Sequence, residues 1–206
     1  MKLYLSSFRL GNNPQQLRQL ISENKKVAII NNAIDHKPEQ ERTEKLEEEI
    51  NDLQSLNLHV EELDLRNYFG KTDELKKRLE AYSGVWVRGG NTFVLRRAYA
   101  YSGFDKLLQE KLSDKEFLYA GYSAGICILA PSLHGYELVD DPNIVPQGYK
   151  PEIIWDGLGL VNYALAPHYH SEHPEAKMVE EEVQYCINNK ILFKALRDGE
   201  VIVDET

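Results

Sequence analysis

The stretch EFLYAGYSAGICILA (116–130) decides the fold. EFLYAG is a short apolar run of strand length, and GYSAG (121–125) joins it to an apolar segment with helical character. A G-x-S-x-G between strand and helix is a nucleophile elbow, in which small neighbours permit a sharp turn that lifts the Ser123 hydroxyl clear of the backbone. From Phe117 to Tyr136 the chain carries no Asp, Glu, Lys or Arg, a run as long as a membrane span. Gly121, Tyr122, Ser123, Gly125, Pro131 and Ser132 interrupt that run, which suits a buried strand, a tight turn and a buried helix start instead.

Upstream of this stretch, apolar and helical segments alternate. KLYLSS (2–7), KKVAIIN (25–31), LHVEELDL (58–65) and GVWV (84–87) read as strands. NPQQLRQLISE (13–23), PEQERTEKLEEEINDLQSL (38–56), DELKKRLEAY (73–82), NTFVLRRAYAY (91–101) and FDKLLQEKL (104–112) read as helices, the second with Leu46, Ile50, Leu53 and Leu56 on one stripe. Five strands with helices between most of them predict an α/β fold: a doubly wound, mostly parallel sheet covered on both faces. Downstream, 131–158 is rich in Pro, Gly and Asp and reads as a long functional loop. LVNYALAPHYH (160–170) reads as strand and HPEAKMVEEEVQYCINN (173–189) as helix. FKALRDGEVIV (193–203) reads as a C-terminal hairpin turning at Asp198-Gly199.

Composition bounds the function classes. The 206 residues, 42% hydrophobic and 28% charged, predict one soluble domain over 1–206 that needs no disulfide or metal to hold it together. A net charge of −9 argues against nucleic-acid partners, which require clustered Lys and Arg. Cys127 and Cys186 form no framework and no CxxC pair, so a reducing compartment is expected. With no signal peptide visible, the expected location is cytoplasmic, without a membrane partner.

Ligands on such sheets bind at the carboxyl ends of the strands. Two loops fall there: RGGNT (88–92) after the fourth strand and GYSAG after the fifth. A serine nucleophile needs a base. Of six histidines, His36 and His59 read as solvated or satisfied and His134 is a weak candidate. His168, His170 and His173 cluster in APHYHSEH, where Pro167 favours extended geometry before it and presents His168 at a strand end. The acid that orients the base is open among Asp140, Asp141, Asp156 and Asp198. Gly89 and Gly90 permit close backbone approach, and Asn91 reads as a helix N-cap.

GGNTF (89–93), GYSAG (121–125), PHY (167–169) and DG (198–199) stand in the order and spacing of the peptidase E family, which the chain resembles over nearly its whole length. That family comprises serine peptidases, among them aspartyl dipeptidase and cyanophycinase. The resemblance implies a fold related to class I glutamine amidotransferases and a peptidase acting on small peptides without a cofactor. It also implies Ser123 as nucleophile, His168 as base, Asp198 as orienting acid, and the N–H groups of Gly90 and Ala124 as oxyanion donors. Arg88 stands where relatives often carry a third glycine, and Arg88, Asn91 and Lys177 are candidate substrate contacts. In aspartyl dipeptidases the helix after the histidine carries arginines that bind the aspartyl carboxylate. Here Lys177 is its only base, which argues against Asp-X specificity.

Two rival readings stand beside this one. HYHSEH (168–173) has the spacing H-x-H-x-[DE]-H, which on an extended chain would point two histidines the same way for a zinc hydrolase. The acidic stretches 39–52 and 172–182 suit solvated helix faces, or the partner surfaces of a non-catalytic family member.

Overall fold

The computed structural model describes residues 1–21 and 26–204. Strands β1 (Lys2–Ser6), β2 (Lys26–Ile30), β3 (His59–Glu62), β4 (Tyr82–Val87) and β5 (Leu118–Tyr122) build a parallel sheet. Strands β6 (Ala164–Ala166) and β7 (Phe193–Ala195) pair separately, and β8 (Val201–Asp204) returns to lie antiparallel to β1. The six-stranded order is β3-β2-β4-β5-β1-β8. The five strands expected from the sequence are thus the five parallel ones. Positions 22 and 23 of the expected first helix, and Lys25 of the second strand, lie outside the described residues.

Strand alternation sends side chains to both faces. Val85, Val87, Phe117 and Tyr119 join one core, packed beneath α3 (Thr72–Leu79), α4 (Thr92–Ser102) and α5 (Phe104–Lys111). Trp86, Leu118, Ala120 and Tyr122 point the other way, into a core closed by α1 (Pro14–Leu20) and α2 (Glu39–Gln54). Each fully buried Leu, Ile or Val here contributes about 1.5–3 kcal/mol. The expected doubly wound α/β sheet is therefore what forms. Of the stripe expected over 38–56, Leu53 on α2 and Leu56 just past its end are buried, and Leu46 and Ile50 pack partly buried against the same core.

Four details depart from the sequence reading. The expected hairpin over 193–203 does turn at Asp198-Gly199, closed by the Glu200 N–H on the Arg197 carbonyl, but its arms join different sheets. Strand character over 160–170 shrinks to Ala164–Ala166, because His168 and His170 both adopt positive φ and turn the chain. The long segment 131–158 is tied to α4 rather than loose. Arg97 is fully buried and its guanidinium donates to the carbonyls of Pro142, Ile144, Pro151 and Glu152, while Arg96 donates to that of Asp156. Finally, the acidic helices are not simply solvated: Arg42 and Glu49 on α2, and Glu182 on α7 (Ala176–Asn188), are buried.

The apolar run from 117 to 136 is divided among β5, the elbow, α6 (Ala124–Cys127) and an irregular stretch in which Ile128, Leu129, Ala130 and Leu133 are buried. No helix among the described residues is long and apolar enough to cross a membrane.

Candidate active site

Adjacent strands β4, β5 and β1 end side by side, and their carboxyl ends carry Arg88–Gly90, Ser123 and Ser7. Because β8 runs antiparallel to β1, its leading turn returns to the same edge. The Ser7 N–H donates to the Glu200 carbonyl at 3.0 Å, which brings Asp198 beside Ser7. This is how an acid near the chain's end reaches the edge where the elbow lies.

Ser123 sits at φ 50° and ψ −123°, a conformation that costs a non-glycine residue about 1–3 kcal/mol. Its glycines serve close approach rather than the turn itself. A Cβ on Gly121 would lie 2.5 Å from the Val87 carbonyl oxygen, and one on Gly125 would lie 2.4 Å from the same atom. A Cβ on Gly89 would lie 2.9 Å from that of Ser123, so the two loops touch. Gly90 has φ 145°, and a Cβ there would meet the Ala33 carbonyl at 2.7 Å.

His168 is 1% exposed. Its Nδ1 lies 2.6 Å from Asp198 Oδ1, and its backbone N–H donates to Ser7 Oγ at 2.8 Å. The Ser7 hydroxyl donates in turn to Asp198 Oδ1 at 2.9 Å, and the Asp198 N–H donates to Ser171 Oγ at 2.8 Å. Asp198 is thus fixed from two sides. Nε2 of His168 is buried without a hydrogen-bond partner among the described residues. Burial is the main cause that holds the His168 imidazole below its ordinary pKa, with His173 adding to it and Asp198 opposing it.

His173 stacks on His168 at 3.7 Å between ring centroids, and Phe8 packs edge-on against His168. His170 points elsewhere: it is exposed, stacks on Tyr169 and faces Glu180 at 3.7 Å. The two histidines of H-x-H therefore do not converge, since the chain turns there instead of extending. Among the described residues, the ligand atoms that do come within 4.8 Å of one another belong to His168, His173 and Glu175.

A narrow cavity opens beside Ser123, Ala124 and His168, walled by Thr92, Cys127, Pro167 and Val179. Three carboxyl groups also line it: Asp140, Glu175 and Glu182. Burial pushes Asp140 up to about 6 although the Thr92 N–H donates to it. Burial and the charge of Asp140 push Glu175 up to about 7, and Glu182 rises well above its ordinary value for the same reasons. The sequence reading missed Glu175 and Glu182 and weighed Asp140 only as an orienting acid. One signal was available: Val179, Glu182, Val183 and Cys186 follow the i, i+3, i+4, i+7 spacing of a buried stripe.

The remaining candidates lie outside this cavity. The Asn91 side-chain oxygen Oδ1 caps α4 by accepting from the Val94 N–H, and its side-chain Nδ2 donates to the Asp141 carbonyl. Arg88 lies 3.4 Å from buried Glu49 and donates to the Gly89 carbonyl. Glu49 also accepts from Tyr122 and Trp86, which braces the elbow from behind. Lys177 is exposed on α7, His134 stacks on Trp155, and Asp141 and Asp156 are exposed.

A mostly parallel six-stranded α/β sheet with a serine elbow at its carboxyl edge defines a fold like that of class I glutamine amidotransferases. The model of peptidase family S51 matches residues 7–205, and the chain belongs to that family. Over 119 residues it is 33% identical to Lin0382 of Listeria innocua, an uncharacterized peptidase, covering 58% of this chain and 54% of that protein. Over 118 residues it is 28% identical to a Drosophila melanogaster protein named "Probable alpha-aspartyl dipeptidase", covering 53% and 46%. The chain spans about half the length of these curated relatives. A crystal structure of a candidate peptidase E protein from Listeria monocytogenes EGD-e superposes with a TM-score of 0.75 at 26% identity, covering 98% of this chain and 97% of that one. A peptidase from an acI-B1 actinobacterium shares the fold at a TM-score of 0.69 and 14% identity, over 98% of this chain and 82% of that one.

Proposed function

We propose that the chain is a serine peptidase that hydrolyses small peptides through an acyl-enzyme. His168 Nε2 removes the Ser123 proton as Oγ attacks the peptide carbonyl. The N–H groups of Gly90 and Ala124 hold the oxyanion, and Asp198 fixes the imidazole tautomer and stabilises its protonated form. His168 then protonates the leaving amine, and water releases the acid. The observation that carries this reading is the pairing of His168 Nδ1 with Asp198, which leaves Nε2 unpaired in the cavity that Ser123 lines. No cofactor enters these steps.

Fluorophosphonate labelling tests the reading. The native protein is expected to be modified at Ser123, and Ser123→Ala and His168→Ala to lose label and peptide hydrolysis alike. An unlabelled Ser123, together with full activity of Ser123→Ala, would overturn it.

The approach of His168, His173 and Glu175 favours a second reading, a zinc hydrolase. It uses the same His168 side chain and so competes with the first. Chelation separates them: a serine peptidase keeps its rate in EDTA, and a zinc enzyme loses it and regains it with zinc.

A further inference from the structure

The Gly90 N–H is aimed by a single peptide unit, the one that joins Gly89 to Gly90. Neither residue has a Cβ to bias it, so the plane of this unit turns easily unless something holds it. The bond is trans, and in a planar trans unit the carbonyl and the N–H point in opposite directions. Whatever fixes the Gly89 carbonyl therefore fixes where the Gly90 N–H points. Arg88 supplies that hold, because its Nη1 donates to the Gly89 carbonyl at 2.8 Å. The Gly90 N–H itself has no hydrogen-bond partner among the described residues.

Arg88 is held in its turn. Its Nε lies 3.4 Å from Glu49 Oε1, and the Glu49 side chain is only 3% exposed. That same oxygen accepts from the Tyr122 hydroxyl at 2.5 Å, while Oε2 accepts from Trp86 Nε1 at 2.7 Å. One buried carboxyl thus grips both the residue before the oxyanion loop and the residue before Ser123. Burial pushes this carboxyl up, and Tyr122, Trp86, Arg88 and Arg9 oppose the rise. The two loops also touch directly, since a Cβ on Gly89 would lie 2.9 Å from Ser123 Cβ and 2.9 Å from the Tyr122 ring. Glu49 and Tyr122 lie on the α2 side of the sheet, and Ala124 belongs to the core on the other side. A Gly89 carbonyl drawn toward Arg88 turns the Gly90 N–H away from α2, to the side on which Ala124 stands.

We infer that Arg88 is a positioning residue that aims the Gly90 N–H at the oxyanion by holding the Gly89 carbonyl, and that Glu49 anchors Arg88 to the elbow. The inference rests on the serine-peptidase reading and extends it to two side chains that act through the main chain rather than on the substrate. It also accounts for a large cation beside the oxyanion loop: its guanidinium faces the Gly89 carbonyl and Glu49. An arginine suits this place because its rigid fork presents several donors at once, to a carbonyl and a carboxylate together.

The test follows the kinetics of fluorophosphonate labelling at Ser123, because the P=O oxygen of the probe takes the oxyanion's place as the bond to Oγ forms. Arg88→Met keeps an unbranched stem and removes the donors. Its kinact should fall by about tenfold to a hundredfold, approaching the loss of one oxyanion donor, with KI within about twofold of the native value. This variant leaves Glu49 buried without its cation, which endangers the fold. The double variant Glu49→Gln/Arg88→Met removes both charges, and it should show the same fall in kinact at the same KI. Glu49→Gln alone leaves Arg88 bonded to Gly89 and should lose less than Arg88→Met. A double variant that labels within about twofold of the native rate, a loss carried by KI alone, or a larger loss in Glu49→Gln than in Arg88→Met would overturn the inference. Labelling of the native protein at Ser123 would preserve the peptidase reading in each of those cases. Absence of that labelling would remove the peptidase reading and this inference with it.

Discussion

Asp198 holds His168 through a single 2.6 Å contact, and Ser7 braces both residues. Asp198→Asn keeps the shape but stabilises the wrong tautomer, so kcat should fall by about 10⁴ in a peptide-hydrolysis assay. Ser7→Ala removes a brace and leaves the reacting atoms in place; a loss of about tenfold is expected, the scale of one neutral hydrogen bond. Activity requires a neutral His168, and burial lowers its pKa. The acid limb of kcat/KM should therefore have its midpoint below pH 6.5. A midpoint above that value would show that substrate-free His168 is stabilised in its charged form. Ser123, Gly90 and His168 were legible because each belongs to a short motif tied to a strand end. Ser7 was not, because an isolated serine after a first strand has no pattern, and its role exists only once β8 returns beside β1.

At the scale of elements, the parallel strands were legible because each is a short apolar run whose alternate residues face two cores. The fate of residues 193–203 was not. A D-G turn between two apolar runs has the same local chemistry whether the arms pair with each other or, as here, with β6 and β1. The order of segment 131–158 was hidden for a related reason: its partner is Arg97, which on a helical wheel reads as an ordinary surface base. Arg97→Ala should strand four loop carbonyls and cost about 3–5 kcal/mol. Thermal unfolding should register that as a drop in Tm of about 10 °C. Arg97→Lys should recover only part of it, because an ammonium has three donors and no fork. The elbow offers a complementary test. Gly125→Ala forces a Cβ to within 2.4 Å of the Val87 carbonyl, so strand β4 and the elbow must separate. A stability loss of about 1–3 kcal/mol with loss of fluorophosphonate labelling is expected.

Across the whole molecule, the net charge of −9 describes an acidic surface, yet part of the acid content is inside. Asp140 is held at about 6 and Glu175 at about 7, and Glu182 is raised well above its ordinary value, whereas unfolded carboxyls titrate near 4. Between about pH 4 and pH 7 the folded chain therefore binds more protons at these sites than the unfolded chain does. Their contribution to stability is fully present below pH 4, declines as pH rises through that window, and levels off above the folded pKa values. Glu175→Gln removes one titrating group from the cluster and, with it, the repulsion between Glu175 and Asp140. Its Tm relative to the native chain should rise as pH goes from 5 to 8, by several degrees if the shift contributes about 2 kcal/mol. Calorimetry at the two pH values checks this directly. A gap that stays constant would mean that Glu175 titrates at its unfolded value, and a gap that closes would mean that ionised Glu175 is favoured in the fold. The same cluster thus lowers stability at neutral pH, because burial beside Ser123 opposes the ionisation of all three carboxyls.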